Sequence, residues 1–242
     1  MENILLLNFL ICGIMLCYTS YLDIKKREVE DKVWIVFGIA AAVLQAYEIA
    51  VGISSDIEVV VGLALAALVG MGLFYFGFYG GADGKALIVL AIFVPFFVPQ
   101  VGLYPIAPLI VLTNGVLLSI LLPIAMLVLN LSRLIRGQRI FEGFSETVPR
   151  KILACLLGYK QTGKPRSFQF SMEREEKLAE HSVSTHQRKF DFALMKDDFT
   201  SESGTWVTPG IPLLVFFTAG FFALLIYGDL VIGLIMLAFK AF

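Results

Sequence analysis

The chain has 242 residues, of which 58% are hydrophobic and only 16% charged, and its mean hydropathy is +0.82. A water-soluble domain carries about a quarter charged residues, so the composition excludes an ordinary soluble protein and indicates a polytopic helical membrane protein. A net charge of −1, with no basic stripe interleaved with aromatics, excludes nucleic acid as a partner. Cys12, Cys17 and Cys155 have no CxxC spacing, so neither a disulfide framework nor a zinc site is expected, and no metal or cofactor is called for.

Six apolar segments lie at 3–22, 33–53, 59–80, 86–103, 107–131 and 211–239. A helix needs about 20 mostly apolar residues to cross about 30 Å of hydrocarbon. Pro95, Pro99 and Pro105 break up the fourth segment, which is expected to be kinked or short. The expected fold class is an all-α polytopic membrane protein of about six transmembrane helices, with a small cytoplasmic α+β insert between helices five and six. That divides the chain into 1–131, 132–209 and 210–242.

The charges between segments set an orientation. The first segment has no basic region before it, while Lys25, Lys26 and Arg27 follow it, so it is expected to be a retained span rather than a cleaved signal. Lys85 lies between segments three and four, and thirteen Lys and Arg lie between Arg133 and Lys196. The connections 54–58 and 100–106 carry none. By the positive-inside rule the N-terminus lies outside and the insert 132–209 faces the cytoplasm.

Within the insert, 134–140 is basic and suited to lipid headgroups, and 148–157 reads as a short helix. Residues 163–166 read as a turn. Residues 167–172 and 190–195 alternate apolar and polar side chains, as strands do. The charged stretch 173–186 reads as a loop or frayed helix, and His181 and His186 within it as solvated. Trp206 reads as an interfacial anchor before the last span. Asp229 falls at the far end of that span and reads as structural.

Asp23 and Asp83 are the candidate catalytic residues. Each ends an apolar segment, the first and the third, and in a woven chain those ends share one face, the cytoplasmic one. Acids at membrane depth are expensive and are functional suspects. Two carboxylates held together cannot both ionise easily, so one keeps its proton. That is what water-mediated peptide hydrolysis needs, one carboxylate as base and one carboxylic acid as proton donor. A helix C-terminus adds partial negative charge, which also favours the protonated form.

Gly80, Gly81 and Ala82 precede Asp83 and form the rest of the candidate active-site motif. Glycines there permit unusual dihedrals and close approach of a second backbone. The phosphate-loop pattern GxxxxGK[ST] is absent. Glu28, Glu30 and Asp31 are possible contacts for a basic substrate segment. Ser132 and Ser145 have no base nearby in the sequence, so a serine mechanism has no support.

These features resemble a known family. An Asp ending the first span before Arg27-Glu28-Val29, Gly80-Gly81-Ala82-Asp83 after the third, and Thr208-Pro209-Gly210-Ile211-Pro212 before the last resemble the archaeal preflagellin peptidases and the type IV prepilin peptidases, GxGD-type membrane aspartyl proteases. Ala82 stands where the strict motif has its second glycine. The cysteine-rich methyltransferase region of many bacterial prepilin peptidases is missing, so nothing supports N-methylation. The resemblance implies an aspartyl endopeptidase that removes short basic signal peptides from preflagellin or prepilin-like substrates at the cytoplasmic face, with Asp23 and Asp83 as its acids. A proton-coupled transporter using the same carboxylates, or a non-enzymatic membrane assembly subunit, is the alternative; transporters more often show two similar halves, and none is visible here.

Overall fold

Long apolar blocks with few breakers fold as helices, because in lipid every backbone polar group must be satisfied within its own segment. A computed structural model of the chain describes residues 2–76, 80–162, 168–176, 187–192 and 204–240. The helices are α1 (Glu2–Lys26), α2 (Asp31–Ala50), α3 (Asp56–Tyr75), α4 (Gly81–Phe93), α5 (Ala107–Ser119), α6 (Leu121–Ile135), α7 (Val148–Leu157), α8 (Leu213–Ile226) and α9 (Leu230–Lys240). Among the described residues, four helical stretches are long and apolar enough to cross a membrane: Ile4–Lys26, Asp31–Ala50, Asp56–Tyr75 and Ala107–Ile135. The pair α8 and α9, bent by 59°, makes a fifth when taken as one span. The protein is mostly helical and membrane-spanning, with a small sheet-bearing insert.

The fourth expected span, 86–103, is instead a 13-residue helix, α4, followed by irregular chain. At 1.5 Å per residue it reaches only about 20 Å. Pro95, Pro99 and Pro105 deprive the following segment of N–H donors. That segment folds back on itself through Phe97 N–H to the Pro105 carbonyl at 2.7 Å. Such a short helix is tolerable at membrane depth because protein surrounds it. Asp83, Ala86, Leu87, Val89, Leu90, Ala91 and Phe93 of α4 are all buried, and α2, α3 and α5 pack against it.

The chain forms two compact units, Met1–Ser119 with Pro212–Phe242, and Ile120–Ile211. In the first, the helices approach closely where side chains are missing. A Cβ on Gly220 of α8 would lie 2.5 Å from the Val111 carbonyl of α5. A Cβ on Gly70 of α3 would lie 3.3 Å from the Cα of Gly84 in α4. The break between α8 and α9 is bridged by a buried side chain of α5. Asn114 donates to the Gly228 carbonyl at 3.0 Å and accepts from Leu230 N–H at 2.9 Å. Asp229, 2% exposed, caps α9 by accepting from the N–H groups of Val231 and Ile232.

The second unit holds α6, α7 and two small sheets. Strand β5 (Trp206–Pro209) pairs antiparallel with both β1 (Tyr159–Lys160) and β2 (Gln169–Ser171). Strands β3 (Glu173–Glu176) and β4 (Gln187–Phe190) form an antiparallel ribbon. The charged stretch read as a loop or frayed helix therefore opens with a strand, while 177–186, with both histidines, lies outside the described residues, as do the proposed turn 163–166 and residues 193–195. Trp206 is not an interfacial anchor. It is fully buried in an aromatic core, stacked on Phe141 at 5.2 Å and edge-on to Phe190, its indole N–H on the Ile140 carbonyl.

Candidate active site

Both candidate acids belong to the first unit. Helix α1 does not stop at Asp23; it continues to Lys26, which leaves Asp23 in its last turn. The chain reverses immediately afterwards. Arg27 has φ of +56°, the left-handed region that long side chains seldom occupy, and its N–H still bonds the Asp23 carbonyl at 3.0 Å. The guanidinium turns back, with Nη1 4.0 Å from Asp23 Oδ1.

On its other side Asp23 meets the start of α8. The backbone N–H of Leu214, in the first turn of α8, is within electrostatic reach of the Asp23 carboxylate. One turn deeper, hydroxyls lock α1 to α8. Ser20 Oγ donates to the Leu214 carbonyl at 2.8 Å and lies 2.6 Å from Thr218 Oγ1, which also lies 3.0 Å from the Leu16 carbonyl.

Asp83 sits differently from the expectation. Helix α3 ends at Tyr75, and Asp83 occupies the first turn of α4. It is therefore at a helix N-terminus, not a C-terminus. The first four N–H groups of a helix have no partner within it, and Asp83 Oδ2 accepts one from Gly80 at 3.0 Å. Partial positive charge at that end attracts an anion, the reverse of the expected dipole effect. Asp83 is 9% exposed and within electrostatic reach of both Asp23 and Arg27. Each carboxylate thus faces a helix start, Asp23 that of α8 and Asp83 that of α4.

The flanking motif is more ordinary than its glycines imply. Gly80 is extended at φ −72° and ψ 159°, and Gly81 has no positive φ. Neither position uses a dihedral closed to other residues. Ala82 packs on the bundle core. The close approach occurs one residue later, at Gly84 against Gly70.

The three acidic candidates separate. Asp31 pairs with Lys85 across 54 residues. Glu28 and Glu30 instead line a cavity of about 220 Å³ with Tyr18, Leu22, Lys26 and Val33. Sequence reasoning passed over Arg27, Ser20, Thr218, Gly70 and Gly84. Arg27 alone carried a signal, its i+4 spacing from Asp23.

Comparison with known proteins identifies the family. The sequence profile of the type IV leader peptidase family matches residues 10–131, and that of the archaeal peptidase A24 C-terminus, type II, matches 150–230. The chain belongs to the type IV leader peptidase family. It is similar to the preflagellin peptidase of Methanocaldococcus jannaschii, 27% identical over 97% of this chain and 99% of that one. Similar relatives are the preflagellin peptidases of Methanococcus maripaludis, 25% identical over 96% of this chain and 99% of the relative, and of Methanococcus voltae, 28% identical over 91% and 95%. The resemblance noted from the motifs thus holds across nearly the whole chain, and the molecule is a membrane peptidase by family. Both candidate aspartates fall within the 10–131 match.

Proposed function

We propose that this chain is a membrane-embedded aspartyl endopeptidase that removes the short basic signal peptide of preflagellin or prepilin-like proteins at the cytoplasmic membrane face. The observation that carries this reading is the pairing of Asp23 and Asp83, brought within electrostatic reach from α1 and α4, with Asp83 bonded to the Gly80 N–H and Asp23 facing the start of α8.

In the reaction, the ionised carboxylate takes a proton from water as the water attacks the scissile carbonyl carbon. The protonated one donates to the carbonyl oxygen, giving a neutral tetrahedral diol. Collapse breaks the C–N bond, the amine leaving with a proton from the carboxyl that received one while the other carboxyl, now ionised, takes a proton from a diol hydroxyl, which restores the shared-proton pair. Two carboxylates sharing one proton are suited to this because each alternates between donor and acceptor. The interfacial ends of the helices supply the water that the bilayer centre lacks.

Orientation follows the charge bias: N-terminus outside, insert and active site cytoplasmic. A basic signal then stays in the cytoplasm while the apolar helix behind it enters the bilayer, which brings the junction to the level of the carboxylates. Glu28 and Glu30 are placed to meet the basic part.

The test is incubation of the purified protein in lipid nanodiscs with a preflagellin-type substrate, followed by mass spectrometry of the products. The proposal requires a single cut at the junction of basic and apolar segments. Intact substrate across a range of such signals would return the transporter and assembly-subunit readings, and a cut elsewhere would refute removal of the signal at its junction.

A further inference from the structure

Three consecutive cations close α1, and the structure separates them. Lys25 and Lys26 are exposed, and the Lys25 ammonium lies over the Tyr21 ring and bonds its hydroxyl. Arg27 turns the other way, its side chain 22% exposed and its guanidinium 4.0 Å from the Asp23 carboxylate. Its charge also acts on Asp83. What turns it inward is the left-handed backbone at φ +56°. That conformation is unfavourable for a residue with a long side chain, and such strain persists where the surroundings over-determine it, most often at functional sites.

We propose that Arg27 is a positioning residue of the aspartate pair, balancing its negative charge and holding the Asp23 carboxylate between the guanidinium and the Leu214 N–H. This rests on the peptidase reading above.

The physical need is plain. A pair that shares one proton carries one negative charge, and that charge sits beside a low-dielectric bundle where isolated ions are costly. At 4.0 Å the guanidinium is beyond hydrogen-bond range of Asp23, so toward that carboxylate it acts by charge and leaves the oxygens able to take and give protons. Of the cations on α2 and α4, Lys85 pairs with the exposed Asp31, and Lys32 is itself exposed. Helix α8 brings no ionisable side chain in its first turn. Arg27 is therefore the cation assigned to the pair. Its removal is expected to slow the chemical step while leaving substrate binding nearly intact.

The test uses full-length protein in nanodiscs, the same cleavage assay, and thermal unfolding as a check on folding. Arg27→Gly and Arg27→Asn both accept a left-handed backbone and remove the charge. Each is expected to lower kcat by about 100-fold with KM within about twofold, the scale of losing one electrostatic stabiliser in an active site. Arg27→Lys is expected to keep kcat within about tenfold of wild type, because it returns the charge without the planar fork. Added ethylguanidinium is expected to restore Arg27→Gly saturably.

If wild type cleaves and Arg27→Gly and Arg27→Asn keep kcat within about threefold, the positioning role is wrong and the peptidase reading stands. A loss that neither lysine nor ethylguanidinium relieves would assign Arg27 to the turn alone and overturn the proposal. If wild type does not cleave, the peptidase reading itself fails and this role with it.

Discussion

Gly70 offers a graded test of how the bundle sets the aspartates. It lies on α3, where α4 crosses, and a Cβ there would sit 3.3 Å from Gly84 Cα and 3.5 Å from its carbonyl oxygen. Carbon atoms prefer roughly 3.5–4.0 Å, so Gly70→Ala must push α4 outward by roughly 0.2–0.7 Å. Gly84 follows Asp83 directly, and the push falls on the carboxylate's own turn. Gly70→Leu adds three more carbons at a buried position and forces a larger shift. Overpacking costs about 1–3 kcal/mol, and misplacing a catalytic group by about 1 Å costs roughly 100-fold in rate. Alanine is therefore expected to lower kcat severalfold and leucine about 100-fold. Ala at Gly84 meets nothing nearer than 3.6 Å and serves as the mild control. The assay is signal-peptide cleavage by each variant, with thermal unfolding measured in parallel. A folded Gly70→Leu protein with wild-type kcat would refute the claim that this crossing positions Asp83.

Other residues give independent checks. Asn114→Leu leaves the Gly228 carbonyl and the Leu230 N–H without their side-chain partner. It should destabilise the fold by about 2 kcal/mol in reversible unfolding in micelles, and an unchanged unfolding curve would contradict the description of the α8–α9 break. Charge reversal at Glu28 and Glu30 together should raise KM for basic signals about tenfold. Asp31→Ala should not, since Asp31 already pairs with Lys85; equal effects from both changes would remove the distinction. In the second unit, Cys155 is 6% exposed and burial pushes its thiol pKa up, which lowers the thiolate fraction that reacts. With Cys17 replaced by serine, a maleimide should label Cys155 only after denaturation. Rapid labelling of the native protein would mean that the aromatic core around Trp206 is open.

Much of the fold was legible because hydropathy is written in blocks. Apolar runs marked α1, α2 and α3, and the charged stretch between 132 and 209 marked the insert. The amphipathic run 148–157 became α7 over the same residues. The fourth segment was expected to be kinked or short, and its helix stops at Phe93. Composition reports apolarity, not whether lipid or protein provides the apolar surroundings, and a 13-residue helix largely buried in protein is as hydrophobic as a span. The same continuity hid the break between α3 and α4, so Asp83 was read as ending one helix when it begins the next. Strand β3 was missed because its Glu-Arg-Glu-Glu sequence has no apolar alternation.

At the site, the two aspartates and Ala82 were visible as a motif, but the surroundings were not. Asp31 and Lys85 meet across 54 residues, a pairing that local sequence cannot announce. Lys25, Lys26 and Arg27 differ on paper only in the i+4 spacing of Arg27 from Asp23, and it is the reversed backbone that turns Arg27 inward. Sequence reasoning passed over Ser20 and Thr218, which helix packing brings together 198 residues apart. Trp206 fits an interfacial belt by residue type, yet the sheet it belongs to buries it.

The central claim is that Asp23 and Asp83 are the acid and base of a peptidase. The most direct measurement is single-turnover cleavage of a preflagellin-type substrate by wild type, Asp23→Asn and Asp83→Asn, each with a native unfolding transition. Asparagine keeps the shape and removes the proton chemistry, so the account predicts that both variants are folded, bind substrate and cut none of it. Cleavage by either folded variant at a rate comparable to wild type would contradict it.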